Sequence, residues 1–222
     1  MSIIIEPSRL FKETCPDFIG AAIVASVANS TTSSELWTML GEQADALKQA
    51  YDINSIKLQS GIAATRAAYK AAGKDPSRYR PACEQLVRRV LQGKTLNSVD
   101  TLVDIGNLVS ICFGYSTAVI DADKLASEKI ILDFGHRDEA YVGIGRGALN
   151  IEHLPAYRDA VGAFATPTSD SERTMASMET HRLLFIVNGY DGRREVVGKA
   201  VEYTRRLLER FAAASVYDVI WY

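Results

Sequence analysis

Hydrophobic and polar positions follow two rhythms along this chain, one close to the helical repeat and one close to the strand repeat. Ser2–Glu6 is a short strand-type run, and Pro7 then opens a helical turn through Lys12. Ile19–Asn29, IGAAIVASVAN, carries Ile and Val among small residues, as a buried strand does. The turn Asn29-Ser30-Thr31-Thr32 leads to Ser33 or Ser34, either of which can cap a helix from Glu35 to Ala50. Leu36, Met39, Leu40, Leu47 and Tyr51 recur there at near-helical spacing and predict one buried face. Gly61–Ala72 is an alanine-rich helix that stops at Gly73. Pro81–Gln92 reads as a helix with the stripe Leu86, Val87, Val90 and Leu91. Asp100–Phe113 is apolar nearly all round, which predicts a buried helix.

After Gly114 the strand rhythm takes over. Thr117–Ile120 runs into the polar turn Asp121-Ala122-Asp123-Lys124. Lys129–Phe134 and Ala140–Ile144 predict a hairpin closed by Gly135-His136-Arg137-Asp138-Glu139. The glycine-rich Gly143–Gly147 leads into no clear helix and is not GxGxxG, so it reads as a β-turn rather than a nucleotide loop. Val161–Thr166 and Leu183–Val187 are strands separated by the polar loop PTSDSERT. The last helix runs from Arg193 to about Ala214 and buries Val196, Val197, Ala200, Tyr203, Leu207, Leu208 and Phe211. Ser215–Tyr222 alternates as a final strand, with Val216, Asp218 and Ile220 on one side. Strands and helices without a clean βα repeat indicate an α+β fold. No Pro-, Gly- or Ser-rich linker divides the chain, so residues 1–222 are read as a single domain.

Composition narrows the function classes without naming one. The 222 residues are 47% hydrophobic and 23% charged, an ordinary balance for a soluble globular protein. No apolar run approaches the ~20 residues of a membrane span, and Met1-Ser2-Ile3-Ile4-Ile5 lacks the basic n-region of a signal peptide. Cys15, Cys83 and Cys112 are odd in number and far apart, which fits reduced thiols in a cytoplasm. His136, His153 and His181 sit at no metal-ligand spacing, and neither CxxC nor HExxH occurs, so no metal or cofactor is expected. A net charge of −2 excludes a general nucleic-acid coat but leaves room for a local patch.

Two stretches carry candidate chemistry. Between Lys74 and Lys94 stand six basic residues (Lys74, Arg78, Arg80, Arg88, Arg89, Lys94) and two acidic ones (Asp75, Glu84), a local excess of four positive charges. Arg80, Arg88 and Arg89 fall largely outside the apolar stripe. They either grip phosphates or form a solvated face paired with acids. In the next helix Asp104 and Asn107, three apart, share a face inside apolar surroundings, with Gly106 beside them. Buried polar groups need partners. One reading has them brace a neighbouring loop; the other has Gly106 admit a ligand that Asn107 bonds.

These stretches also carry a resemblance. The run Y-R-P-x-x-E-x-L-x-R-R-V-L-x-G-K, then N-x-x-x-x-L-V-D-I-x-N-L-V and D-x-D-K-L, resembles the B3/B4 domain of the β subunit of bacterial phenylalanyl-tRNA synthetase, and its small free-standing relatives. The likeness extends through SDSERT and LLFIVNGY to the last helix. It implies an α+β module with a β-sandwich-type core flanked by helices, and an editing site that hydrolyses tyrosine wrongly esterified to phenylalanine tRNA. Residue by residue, the Val-Asp-Ile-Thr-Asn run falls on Val103–Asn107, keeping the Asn and replacing the Thr with Gly106. The family's His falls on Ala118, the Glu that reads the tyrosine hydroxyl falls on Ile186, and the Ser-Glu motif falls on Ser171-Glu172. Ala118 cannot transfer a proton, and Ile186 cannot bond a hydroxyl.

The resemblance therefore implies tRNA or aminoacyl-tRNA as partner. The first function is hydrolysis of a mischarged aminoacyl-tRNA in trans, resting on the Asn107 amide and backbone donors near Gly162. The second is a non-catalytic RNA- or small-ligand-binding module. The expected geometry is a cleft from Asn107 toward Gly162, Ala118 and Ile186, opening beside the Arg80–Arg89 helix.

Overall fold

The computed structural model describes residues 2–222, apart from the side chain of Tyr217; Met1 lies outside the described residues. The chain opens with β1 (Ile4–Pro7), α1 (Arg9–Thr14), β2 (Ile19–Ser26), α2 (Ser34–Ala50), α3 (Ser60–Ala71), α4 (Ala82–Leu91) and α5 (Thr101–Phe113). It continues through β3 (Ser116–Asp121), β4 (Lys129–Phe134), β5 (Val142–Gly143), β6 (Gly147–Ala148), β7 (Pro155–Arg158) and β8 (Ala163–Ala165). β9 (Arg182–Gly189), α6 (Arg194–Phe211) and β10 (Ser215–Trp221) complete it. The fold is α+β, as the mixture of repeats predicts.

Local chemistry sets the helix ends. Ser33 Oγ accepts the Leu36 N–H (3.2 Å) to start α2, and Asp100 Oδ1 accepts the Val103 N–H (2.9 Å) to start α5. Gly114, at φ 72°, supplies the left-handed residue that closes α5. Among the described residues, no helix is long and apolar enough to cross a membrane.

Two four-stranded sheets form the frame, in the orders β1-β4-β7-β8 and β10-β2-β9-β3. They face each other across Ile5, Ile130, Leu132, Tyr157 and Phe164 from the first, and Ala22, Val24, Ala118, Ile120, Leu184 and Ile186 from the second. The opposite face of the second sheet carries Ala21, Ile23, Ala25, Val119, Leu183, Phe185 and Val187, which pack on α2, α5 and α6. The second sheet is thus buried on both faces, and successive side chains along β2, β3 and β9 enter different cores.

Two expectations fail for identifiable reasons. Lys129–Phe134 does not form a hairpin with Ala140–Ile144: β4 pairs parallel with β1 and antiparallel with β7. Gly135 explains this, because its missing side chain lets the chain at Ile151 come close; a Cβ there would lie 2.1 Å from the Ile151 carbonyl oxygen. The Gly135 N–H donates to the Leu154 carbonyl (2.8 Å), so the returning segment takes the place of a hairpin partner. Residues 142–148 instead make the small β5–β6 ribbon, with its turn in the expected glycine-rich stretch. In β10 a register shift between Val216 and Asp218 breaks the alternation. Val216 packs with Val219 and Trp221 toward the helices, whereas Ile220 faces the sandwich.

Gly106 is where α5 meets β3. A Cβ at that position would fall 2.8 Å from Val119 Cγ2 and 3.2 Å from Thr117 Oγ1. Alanine would gain about 1 kcal/mol in helix propensity but overpack at a cost of about 1–3 kcal/mol. Gly106→Ala is therefore expected to lose on the order of 1 kcal/mol in urea denaturation; a variant more stable than wild type would contradict this packing.

Candidate functional site

A cavity of about 220 Å³ opens between α4, α5, β3, the β5–β6 turn and the loop after β8. Val99, Val103, Leu86, Ile144 and Met175 give it apolar walls, and Asn107, Ser110, Thr117, Ser169 and Asp170 bring polar groups to them. A largely apolar hollow with a few converging polar groups is the usual form of a small-ligand site.

The polar residues of α5 divide into two kinds. Asp104 is fully buried and accepts the hydroxyls of Thr32 (2.6 Å) and Ser98 (2.5 Å). It pins two loops to the helix, which is the bracing role. Asn107 is half-buried on the cavity wall, and among the described residues its Nδ2 reaches only Asp104 Oδ1, at 3.4 Å. Gly106 is closed off by β3 as described, although its backbone contributes to the wall. The Thr117 hydroxyl donates to the Gly106 carbonyl (3.1 Å) and pairs with Ser110 (3.0 Å), tying strand to helix beneath the cavity.

Asp170 is the residue that sequence reasoning missed. β3 is an edge strand, and the Val119 N–H donates to Asp170 Oδ2 (3.1 Å). Asp170 Oδ1 is shielded from solvent and has no hydrogen-bond partner among the described residues. Burial pushes the carboxyl up to about 7, against the lowering effect of the Val119 N–H. An acid that titrates near neutrality at a cavity wall is suited to taking and returning a proton. In the sequence Asp170 sits in the polar octapeptide PTSDSERT, where nothing local distinguishes a buried carboxyl from a solvated one.

The three cysteines offer no such group. Burial raises Cys15 and Cys112 to about 11 and Cys83 to about 12, away from any thiolate at neutral pH. Among the described residues, no group of three or more His, Cys, Asp or Glu is placed to hold a metal.

Leu86 also belongs to a second hollow, a groove of about 420 Å³ lined by Arg80, Gln85, Arg88, Arg89, Gln92 and Lys94. All three sequence-selected arginines reach it. Arg88, however, donates from Nε to Glu84 Oε1 (2.8 Å), and Arg66 holds the other oxygen of that fully buried carboxylate (2.9 Å). Arg89 Nε donates to the Thr95 carbonyl (2.7 Å). Arg80, Arg89 and Lys94 make no ion pair among the described residues, and Arg146 reaches in to bond Gln85 Oε1. Lys74 does not join them: it is buried, donating to the carbonyls of Asn150 (2.9 Å) and Glu152 (2.6 Å).

The B3/4 domain family matches residues 64–212, from within α3 to the end of α6. The chain belongs to the B3/4 domain family. It is a domain related to the phenylalanyl-tRNA synthetase β chain. No curated protein matches the chain.

This B3/4 protein keeps Asn107 at the cavity, but not the other positions expected there. Ala118 and Ile186 are cross-strand partners on β3 and β9, buried in the sandwich on the far side of the sheet. The strand period decides this, because Thr117 and Val119, not Ala118, look toward α5. Gly162 lies in the β7–β8 turn away from the cavity. Its N–H and that of Val161 donate to Asp159 Oδ1 (3.2 and 3.0 Å), the Ala160 N–H donates to Ser127 Oγ (3.1 Å) and the Ala163 N–H to Glu139 Oε1 (3.2 Å), so each N–H of this turn from 160 to 163 is already spent. The cleft expected from Asn107 toward Gly162, Ala118 and Ile186 is replaced by one from Asn107 toward Asp170.

The raised pKa of Asp170 has a signed consequence for stability. The folded chain keeps the proton up to about pH 7 and the unfolded chain releases it near 3.8, so wild type loses stability as pH rises through that window. Asp170→Asn should match wild type near pH 4 and exceed it at pH 8 by on the order of 1–3 kcal/mol in denaturant melts. An advantage that does not grow with pH would contradict the buried carboxylate.

Proposed function

We propose that this protein binds the aminoacylated 3′ end of a tRNA and hydrolyses the aminoacyl ester in trans, as a single cytoplasmic domain. The observation that carries this reading is the Asp170 carboxyl, unpaired at Oδ1, in an apolar cavity that shares Leu86 with a cationic groove. The aminoacyl group occupies the cavity, and the phosphates of the 3′ end lie along Arg80, Arg89 and Lys94. Ionised Asp170 takes a proton from water while the water oxygen attacks the ester carbonyl carbon. The Asn107 carboxamide, whose N–H groups have only one long internal bond, donates to the carbonyl oxygen as it gains negative charge. The bond from that carbon to the ribose oxygen then breaks, and the oxygen takes the proton from Asp170. The products are a free amino acid and a tRNA with its hydroxyl restored.

A non-catalytic RNA- or small-ligand-binding module is the second reading. Ala118 and Ile186 favour it, since neither position offers the proton-transfer or hydroxyl-binding group that the family resemblance leads one to expect there. Deacylation assays across a panel of mischarged tRNAs separate the two. The first reading expects hydrolysis of at least one, with a rate that rises to a plateau around a midpoint near pH 7. Asp170→Asn should lower that rate by roughly 10²–10⁴-fold with tRNA affinity retained. Intact tRNA binding without hydrolysis of any substrate would select the second reading.

The groove gives a separate expectation. Arg80→Ala and Arg89→Ala should each weaken tRNA binding and flatten its logarithmic salt dependence by about one, with little change in melting temperature. Arg88→Ala should also lower the melting temperature, because it removes one of the two guanidinium groups that compensate buried Glu84. Unchanged salt slopes for Arg80→Ala and Arg89→Ala would return this patch to a solvated face.

A further inference from the structure

The groove continues past the arginines. Lys94 lines it and also lines a third hollow, of about 210 Å³, between the end of α4 and one face of α2. Trp37 and Lys48 bound that slot on α2, with Gly41 and Ala44 as its low floor. A Cβ at Gly41 would meet nothing within 4 Å, so no packing contact accounts for the glycine, and its effect is to leave the floor open. These residues form a stripe along α2 that is distinct from the buried positions Leu36 and Leu47.

Trp37 has no evident structural role. It is 37% exposed; its backbone N–H starts the helix by donating to the Ser33 carbonyl (3.0 Å), but its indole makes no aromatic contact and no hydrogen bond among the described residues. The other tryptophan, Trp221, instead lies under the Arg194 guanidinium, 4.3 Å from its ring centre. An exposed indole beside small residues and at the end of a cationic groove matches the composition of single-strand binding sites. Those sites pair a positive track for the backbone with aromatic faces on which bases stack.

We infer that the Trp37 slot takes an unpaired nucleobase of a single-stranded RNA end, stacked on the indole, with the following phosphates on Lys94, Arg89 and Arg80. This rests on the reading that the groove carries tRNA phosphates. The order along the surface is slot, groove, cavity, joined at Lys94 and at Leu86. A strand running along it sets a base, then phosphates, then the terminal ester in sequence. Because every base offers a π-face, the slot tolerates sequence and selects for an unpaired strand.

The test is the affinity of a labelled, single-stranded CCA-ended hexaribonucleotide, followed by anisotropy, for wild type, Trp37→Phe, Trp37→Ala and Arg80→Ala. Trp37→Ala should raise Kd by about 5- to 150-fold, leave the salt slope unchanged, and keep the melting temperature of this half-exposed site. Trp37→Phe should recover most of the affinity. An oligonucleotide with abasic residues in place of its upstream bases should bind wild type as weakly as the intact one binds Trp37→Ala. Wild-type affinity in Trp37→Ala, with Arg80→Ala impaired, would overturn the slot and leave the groove standing. No measurable binding by wild type would overturn the groove reading and the slot with it. A loss of self-association in Trp37→Ala, seen by sedimentation without any change in RNA affinity, would assign the slot to a second copy of the chain and overturn the inference.

Discussion

The β10-β2-β9-β3 sheet, buried on both faces, is the constraint on which the rest of the structure depends. One face closes the sandwich and the other receives α2, α5 and α6. The apolar side chains on β3 and β9 are therefore assigned to one core or the other by the strand period. The candidate site forms where that double coverage ends, at the edge strand β3. There α5 approaches closely enough to require glycine at 106, while the loop after β8 supplies Asp170 to an outward Val119 N–H. The cavity lies between these two contacts.

Three acids with shielded carboxyl oxygens in this part of the molecule, Glu84, Asp104 and Asp170, show how environment divides their roles. Glu84 is held by two arginines, and Asp104 by two hydroxyls and a distant amide. Both are satisfied, and both anchor one element to another. Asp170 accepts a single backbone N–H and, among the described residues, keeps one oxygen without a partner. A carboxyl so placed is costly to ionise, which is why it titrates near neutrality and why it, rather than the other two, is suited to chemistry. Cost to the fold and reactivity are two expressions of one missing hydrogen bond.

Much of the fold was legible in local patterns. Ser33 and Asp100 cap helices where the pattern starts them, the apolar runs at 19–29 and 183–187 supply the central strands β2 and β9, and four of the six basic residues between 74 and 94 converge on one groove. What was not legible depends on pairing between distant segments. The partner of β4 is β1, more than a hundred residues away, and no local rhythm announces it. The family resemblance places positions 118 and 186 in the site because a motif carries no information about which side of a strand a residue faces. Lys74 counts as a charge in sequence but is buried against two carbonyls in the fold. Asp170 stayed hidden because a polar loop looks solvated until the elements that cover it are known.

The central claim is that the aminoacyl group sits between Asn107 and Asp170 on the helix-facing side of β3. Backbone amide chemical-shift mapping tests it directly, with a non-hydrolysable 3′-amide analogue of aminoacyl-adenosine as the probe. The account predicts that the largest shifts fall on Asn107, Val119, Ser169 and Asp170, and that Gly162, Ala118 and Ile186 stay in place. Shifts centred on the Gly162 turn, or no shift at the cavity at saturating probe, would contradict it.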